Sequence, residues 1–249
     1  MKRKENLIIS SFGAPKRSFG CQNFVLTLLL VLSLLIANIA HAGDITGKVT
    51  VLERKGKKNL KSFENAVVYL EGIETPAPQE PALMDQQKKT FVPRLLPVVK
   101  GQEVQFLNSD KVRHNIFSPD GEESFDLGRF PKGETASVTL VELGPHKVYC
   151  DIHQKMVADV FVLPNQYFSV TDKEGQFVIK DVPDGEYTIK VWHILNGADE
   201  KTIRVSNAPL EVDFTITSKK MFRNLLDHKR KRGGSYKQSG SSSSSGSSY

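Results

Sequence analysis

The sequence predicts an all-β protein divided into blocks, and three observations carry that prediction. From residue 43 to 218 no long stretch repeats at the 3.6-residue period of an amphipathic helix. Instead, short apolar or alternating runs are separated by Gly, Pro, Asp and Asn, the residues that make turns. Two connectors then bracket the middle: the Pro-rich Glu74-Thr-Pro-Ala-Pro-Gln-Glu-Pro, whose prolines cannot donate to a ladder, and Pro164-Asn165.

Taken in order, residues 46–52 and 66–70 are two strands joined by the charged loop Glu53-Arg-Lys-Gly-Lys-Lys. The middle block reads as strands over residues 91–99, 104–107, 115–118, 137–141, 147–150 and 157–163. The last block opens at Phe168, turns at Asp172-Lys-Glu-Gly, turns again at Pro183-Asp-Gly into an alternating strand ending near Trp192, and finishes with residues 210–216.

Before and after these blocks the composition changes. Of the 249 residues, the first 42 carry a net charge of +4 and residues 219–249 a net +7, so the overall +6 leaves the middle at −5. The pI near 9.2 describes the ends, and nucleic-acid binding does not follow from it. Basic residues lead into an apolar run at 24–39 and then Ala40-His41-Ala42, the small-x-small pattern of a signal-peptidase site, so residues 1–42 are expected to be a signal peptide. Sixteen helical residues reach about 24 Å, short of a hydrocarbon core of roughly 30 Å. Residues 219–249 turn basic and then Ser/Gly-rich, and are expected to be a disordered tail with at most peripheral membrane contact.

Cys21 would leave with the leader, so the mature chain would hold the single thiol of Cys150, which cannot form an internal disulfide. That thiol opens Cys150-Asp-Ile-His-Gln-Lys-Met, a C-x2-H-x2-M loop between two apolar runs, and His114 stands 36 residues upstream. One thiolate and two imidazoles suit a trigonal copper plane, with a thioether as the weak axial donor. Structural zinc is the metal alternative, but thioether is a poor zinc ligand. Of the other histidines, His146 is expected on a strand surface, His193 beside Trp192 inside a sandwich, His228 in the tail and His41 in the leader.

Residues 84–163 resemble the cupredoxins, and the ligand loop is closest to the amicyanin type; Val98-Val-Lys-Gly-Gln-Glu-Val-Gln-Phe-Leu-Asn-Ser-Asp resembles the strand pair leading to the first histidine. More narrowly, the segment is similar to exported methylamine-utilisation-like or plastocyanin-like proteins. The resemblance implies a Greek-key β-sandwich over residues 83–163, and one mononuclear type 1 copper held by His114, Cys150, His153 and Met156. It also implies that Asn115 hydrogen-bonds near the cysteine and ties the ligand strands together. Ile152 departs from the amicyanin pattern, where a proline precedes the second histidine.

Residues 43–73 and 167–218 resemble two parts of one transthyretin-like or carboxypeptidase-regulatory-like β-sandwich, carried by Gly47-Lys-Val, Ala66-Val-Val-Tyr-Leu, Thr171-Asp-Lys-Glu-Gly-Gln-Phe and Val182-Pro-Asp-Gly-Glu-Tyr. Two strands are marginal alone. The N-terminal pair therefore either joins the C-terminal block, making the cupredoxin an insertion, or extends the cupredoxin; the bracketing connectors favour insertion.

The expected function is an exported, periplasmic electron carrier, with His153 and Ile152 as the electron port and a redox partner such as a c-type cytochrome or dehydrogenase. Tyr149 and Asp151 flank Cys150 where multicopper oxidases and copper nitrite reductases wire a second centre through histidines, Gln154 stands where a binuclear site wants cysteine, and no Cys-x-x-Cys-His is present. Copper delivery, and an envelope interaction module with a structural metal, are the alternative readings; an enzyme is not expected.

Overall fold

The computed structural model describes residues 42–119 and 123–221. Of the expected leader over residues 1–42, residues 1–41 lie outside the described residues, and so do residues 222–249 of the expected tail over 219–249; Ala42, the residue before the expected cleavage, opens the first strand. Among the described residues every regular element is a strand.

Strands β1 (Ala42–Leu52) and β2 (Ala66–Glu71) come first. The middle block supplies β3 (Ala82–Gln87), β4 (Thr90–Val92), β5 (Leu95–Val99), β6 (Glu103–Asn108), β7 (His114–Ser118), β8 (Phe125–Phe130), β9 (Thr135–Thr139), β10 (Gly144–Tyr149) and β11 (Val157–Leu163). The last block is β12 (Phe168–Val170), β13 (Gln176–Pro183), β14 (Gly185–His193), β15 (Ala198–Val205), β16 (Leu210–Glu211) and β17 (Phe214–Thr217).

Pairing shows that the middle block is inserted between halves of another sandwich. One flanking sheet places β1 between β13 and the parallel strands β16 and β17; the other has the order β12-β2-β14-β15. In β1, Ile45, Val49 and Val51 alternate inward against Val68, Leu70, Ile179, Ile189 and Phe214. Gly47 sits in that strand because a Cβ there would come within 2.0 Å of the Val212 carbonyl oxygen. The inserted block forms a five-stranded sheet, β5-β11-β10-β7-β8, facing a four-stranded sheet, β4-β3-β6-β9. Met84, Phe91, Val104, Phe106, Ile116, Val148 and Val160 fill the space between them, and Cys150 and Met156 belong to the same core.

The outer face of β11 joins the two sandwiches. Phe161 and Leu163 pack with Leu95, Val67, Ile194 and Leu195, and the Phe161 ring lies 5.0 Å from Trp192 and 5.5 Å from Tyr69. Burying an aromatic of this size contributes about 1.5–3 kcal/mol. Beside it, Lys147 forms an ion pair with the fully buried Asp159 and lies over the Trp192 ring. At the neck, the Asn165 amide donates to the carbonyls of Leu70 and Ile73, both at 2.8 Å, and its oxygen accepts the Tyr167 N–H.

Several expected strands change on inspection. Residues 91–99 are two strands in different sheets, split at Pro93-Arg94, and residues 210–216 divide between β16 and β17. Strands β3, β8 and β15 were not expected: the first carries Asp85, Gln86 and Gln87, the second bends at Gly128 (φ 74°), and the third exposes six of its eight residues. His146 is a correction as well. It is 4% exposed, and Nε2 donates to the Glu142 carbonyl at 2.8 Å, because β10 turns His146, Val148 and Cys150 inward together.

Candidate metal centre

One end of the inserted sandwich gathers His114 at the start of β7, Cys150 just after β10, and His153 and Met156 in the loop before β11. That loop is closed by its own backbone: Met156 N–H donates to His153 carbonyl at 2.9 Å and Cys150 N–H to Met156 carbonyl at 3.2 Å. Tyr149 pairs with Phe117 across β10 and β7, so the strand carrying His114 lies beside the loop.

The three N and S donor atoms lie within 4.8 Å of one another. His114 Nδ1 and His153 Nδ1 are 3.1 Å apart, and each is 3.8 Å from Cys150 Sγ. The centre of that triangle is about 2.1 Å from each atom, inside the roughly 2.0–2.3 Å range of nitrogen and thiolate bonds to a first-row metal. His114, Cys150 and Met156 are fully buried, while His153 and Ile152 are half-buried. A thiol, two imidazole nitrogens and a thioether, dry on one side and reachable through a single ring, fit copper better than zinc.

Hydrogen bonds orient His114 and tie down the loop at Cys150. His114 Nε2 lies 2.9 Å from Asp110 Oδ2, so its proton goes to the carboxylate and Nδ1 keeps its lone pair for the centre. Asp110 also accepts the backbone N–H groups of Lys88 and Lys89, both at 2.6 Å, and its own backbone N–H donates to Asn108 Oδ1. Asn115 Oδ1 accepts the Asp151 N–H at 2.7 Å, joining β7 to the ligand loop directly behind Cys150. Asp110 was absent from the residues singled out by sequence. Its position four residues before His114, in Asn-Ser-Asp, was the available signal.

The charges follow from these contacts. Burial pushes the Cys150 thiol up, but His114 and the backbone N–H groups of Ile152, Asn115 and His153 outweigh it and hold the thiol below its ordinary value. Burial likewise opposes a charged His114, yet Cys150 and Asp110 raise it. At His153 burial, then the His114 charge and Lys89, all lower the ring. The Asp110 carboxyl, pushed up by burial, is pulled further down by the Lys89 N–H, His114 and the Lys88 N–H.

His193, by contrast, lies in the flanking sandwich away from these donors. Its Nε2 donates to the Glu64 carbonyl and its Nδ1 accepts the Leu195 N–H.

No family model matches the chain. Among solved structures, the chain is similar to a purple cupredoxin from Nitrosopumilus maritimus, at 26% identity, covering 33% of this chain and 99% of that one, with a TM-score of 0.31. It is similar to an amicyanin variant at 24% identity, covering 33% and 82%, with a TM-score of 0.32. It is also similar to a Cu-containing nitrite reductase from Thermus scotoductus SA-01 at 25% identity and a TM-score of 0.33, covering 37% of this chain but spanning 24% of the reductase. In sequence, it is 37% identical over 76 residues to plastocyanin from Sambucus nigra, a match that takes in 26% of this chain and 76% of that plastocyanin. On that identity, over most of the relative's length, the chain belongs to the plastocyanin family of cupredoxins.

Proposed function

We propose that this protein is an exported, periplasmic blue (type 1) copper protein that acts as an electron carrier, holding one copper through His114, Cys150, His153 and Met156. The observation that carries the reading is the donor triangle, whose three atoms are already spaced for one metal in a buried pocket beside a buried methionine. Copper, when bound, supplies a one-electron Cu(I)/Cu(II) couple.

The chain does the rest. Loop hydrogen bonds and two β-sheets hold the donors at a fixed spacing, so little has to move when the charge changes. Asp110 holds the His114 tautomer. The core residues around Cys150 and Met156 exclude water, and the half-buried edge of His153 next to Ile152 is the route to a partner such as a c-type cytochrome or dehydrogenase. The flanking strands, read as a transthyretin-like sandwich, serve as the platform.

Adding Cu(II) to the purified protein, recording the visible spectrum and then mixing the reduced form with c-type cytochromes tests this directly. An intense thiolate charge-transfer band and rapid electron exchange are expected. A colourless protein that passes copper to an acceptor without exchanging electrons would overturn it. Met156→Leu should keep the band and raise the reduction potential, since a weak axial donor alone is lost.

A further inference from the structure

Four lysines surround a hollow of about 470 Å³ at the metal end of the inserted sandwich: Lys88 and Lys89 on the β3–β4 turn, Lys111 on the β6–β7 loop and Lys132 on the β8–β9 turn. All four are exposed, and none makes an ion pair among the described residues. Val112, 41% exposed, gives the same hollow an apolar contact. Arg113 and Lys155, also exposed, extend the positive rim toward the ligand loop. The acids nearby are engaged: Asp110 binds the Lys88 and Lys89 N–H groups and His114, and Asp151 lies 3.9 Å from Arg129; Glu134 alone stands exposed.

The backbone of the lysine turn is informative. Lys88 and Lys89 both adopt positive φ, 51° and 58°, a pair of positions where hairpins normally use Asn-Gly. Two lysines accept the disfavoured conformation, and Asp110 pins their N–H groups. A two-residue turn between Gln87 and Thr90 requires that conformation, and it sets both lysines at the rim of the hollow, beside the carboxylate that binds His114. At the opposite end of the sandwich stand Glu103 and Glu142, both exposed, with Glu123. The insert thus carries a charge gradient along its axis, positive at the metal end.

We propose that the hollow formed by Lys88, Lys89, Lys111 and Lys132 beside His114 is the docking face for a redox partner with an acidic surface. The proposal rests on the electron-carrier reading for the word redox, and on the lysine geometry for the word acidic. The gradient orients an approaching acidic protein so that it meets the metal end first. Once seated, its contacts with the lysine turn lie one carboxylate away from His114. The net −5 of the middle region therefore does not select a basic partner, because the partner meets one end and not the sum.

Two measurements on the full chain test it. In the first, the reduced, copper-loaded protein is titrated with hexacyanochromate(III), a redox-inert paramagnetic trianion, and amide line broadening is followed by NMR. Broadening should centre on Lys88, Lys89, Lys111 and Lys132, and trianion affinity should fall at least tenfold in Lys111→Glu/Lys132→Glu, whose visible spectrum stays that of wild type. Broadening centred on the lysine-rich loop at residues 54–58, or none at all, overturns the proposal. In the second, stopped-flow oxidation by an acidic and a basic c-type cytochrome is compared at two ionic strengths. Wild type should favour the acidic one, more so at low salt, and the double variant should reverse the order; unchanged preference overturns the docking face. Failure of every electron exchange, ferricyanide included, with the trianion map intact would take down the electron-carrier reading and leave the lysine docking face for an acidic surface standing.

Discussion

His114 in the inserted sandwich and His193 in the flanking one are equally shut away from water, at 0% and 3% exposure, yet their ring nitrogens meet different worlds. His193 is satisfied by backbone: a carbonyl takes its proton and an amide gives it one. That arrangement suits a neutral ring, and burial pushes its pKa down to about 4. His114 faces a carboxylate on one side and a thiol and a second imidazole on the other. Burial alone therefore says little about a histidine's job. A ring whose two nitrogens are both spent on backbone is structural, and one that keeps a lone pair aimed at other soft donors is prepared for a metal.

The strongest way to break this contrast is Cys150→Ser, which should abolish the thiolate band on Cu(II) addition, whereas His193→Gln should leave that band at full intensity; visible absorption decides both. Full colour in Cys150→Ser would remove the metal assignment.

Next comes acid stability. Between pH about 6.5 and 4 the unfolded chain binds a proton at His193 that the folded chain refuses. The stability contributed by the neutral ring is thus complete above pH 6.5 and is lost as pH falls toward 4, about 3 kcal/mol in total. Urea unfolding across that range should show the loss in wild type and a flatter profile in His193→Gln. Parallel profiles would show that His193 is not the group responsible.

A smaller effect sharpens the other side of the comparison. Asp110→Asn removes the charge that orients His114 while keeping its size, and should keep the colour but weaken copper affinity by roughly 10–100-fold. Competition with a copper chelator measures it, and wild-type affinity in the variant would make Asp110 a bystander.

How much of this could be read from residues alone depends on how local the signal was. Cys150, His153 and Met156 share one short loop, so their types and spacing were visible together, and His114 stood out as a histidine beside an apolar run. Asp110 escaped because its role is set by the tertiary approach of the Lys88–Lys89 turn. Strand β15 escaped because an exposed edge strand needs no apolar alternation, and β3 because its polar residues are held by partners on neighbouring segments, Gln86 by the Leu107 carbonyl and Asp85 by Ser109. The insertion was legible from its connectors. Asn165 of the second connector proved to be the clasp that holds both chain crossings together.

That clasp has a thermodynamic consequence. Residues 72–167 leave and re-enter the flanking sandwich at adjacent strands, since Phe168 pairs with Tyr69. While folded, the insert is a short rigid bridge between those strands. Once unfolded, it becomes a loop of roughly a hundred residues, and closing such a loop instead of one of about six residues costs on the order of 2–3 kcal/mol of chain entropy. Whatever stabilises the insert therefore also stabilises the sandwich that carries it, so a ligand bound at one end of the molecule should protect hydrogen-bonded amides in β2 and β14, which it never touches, from exchange with solvent.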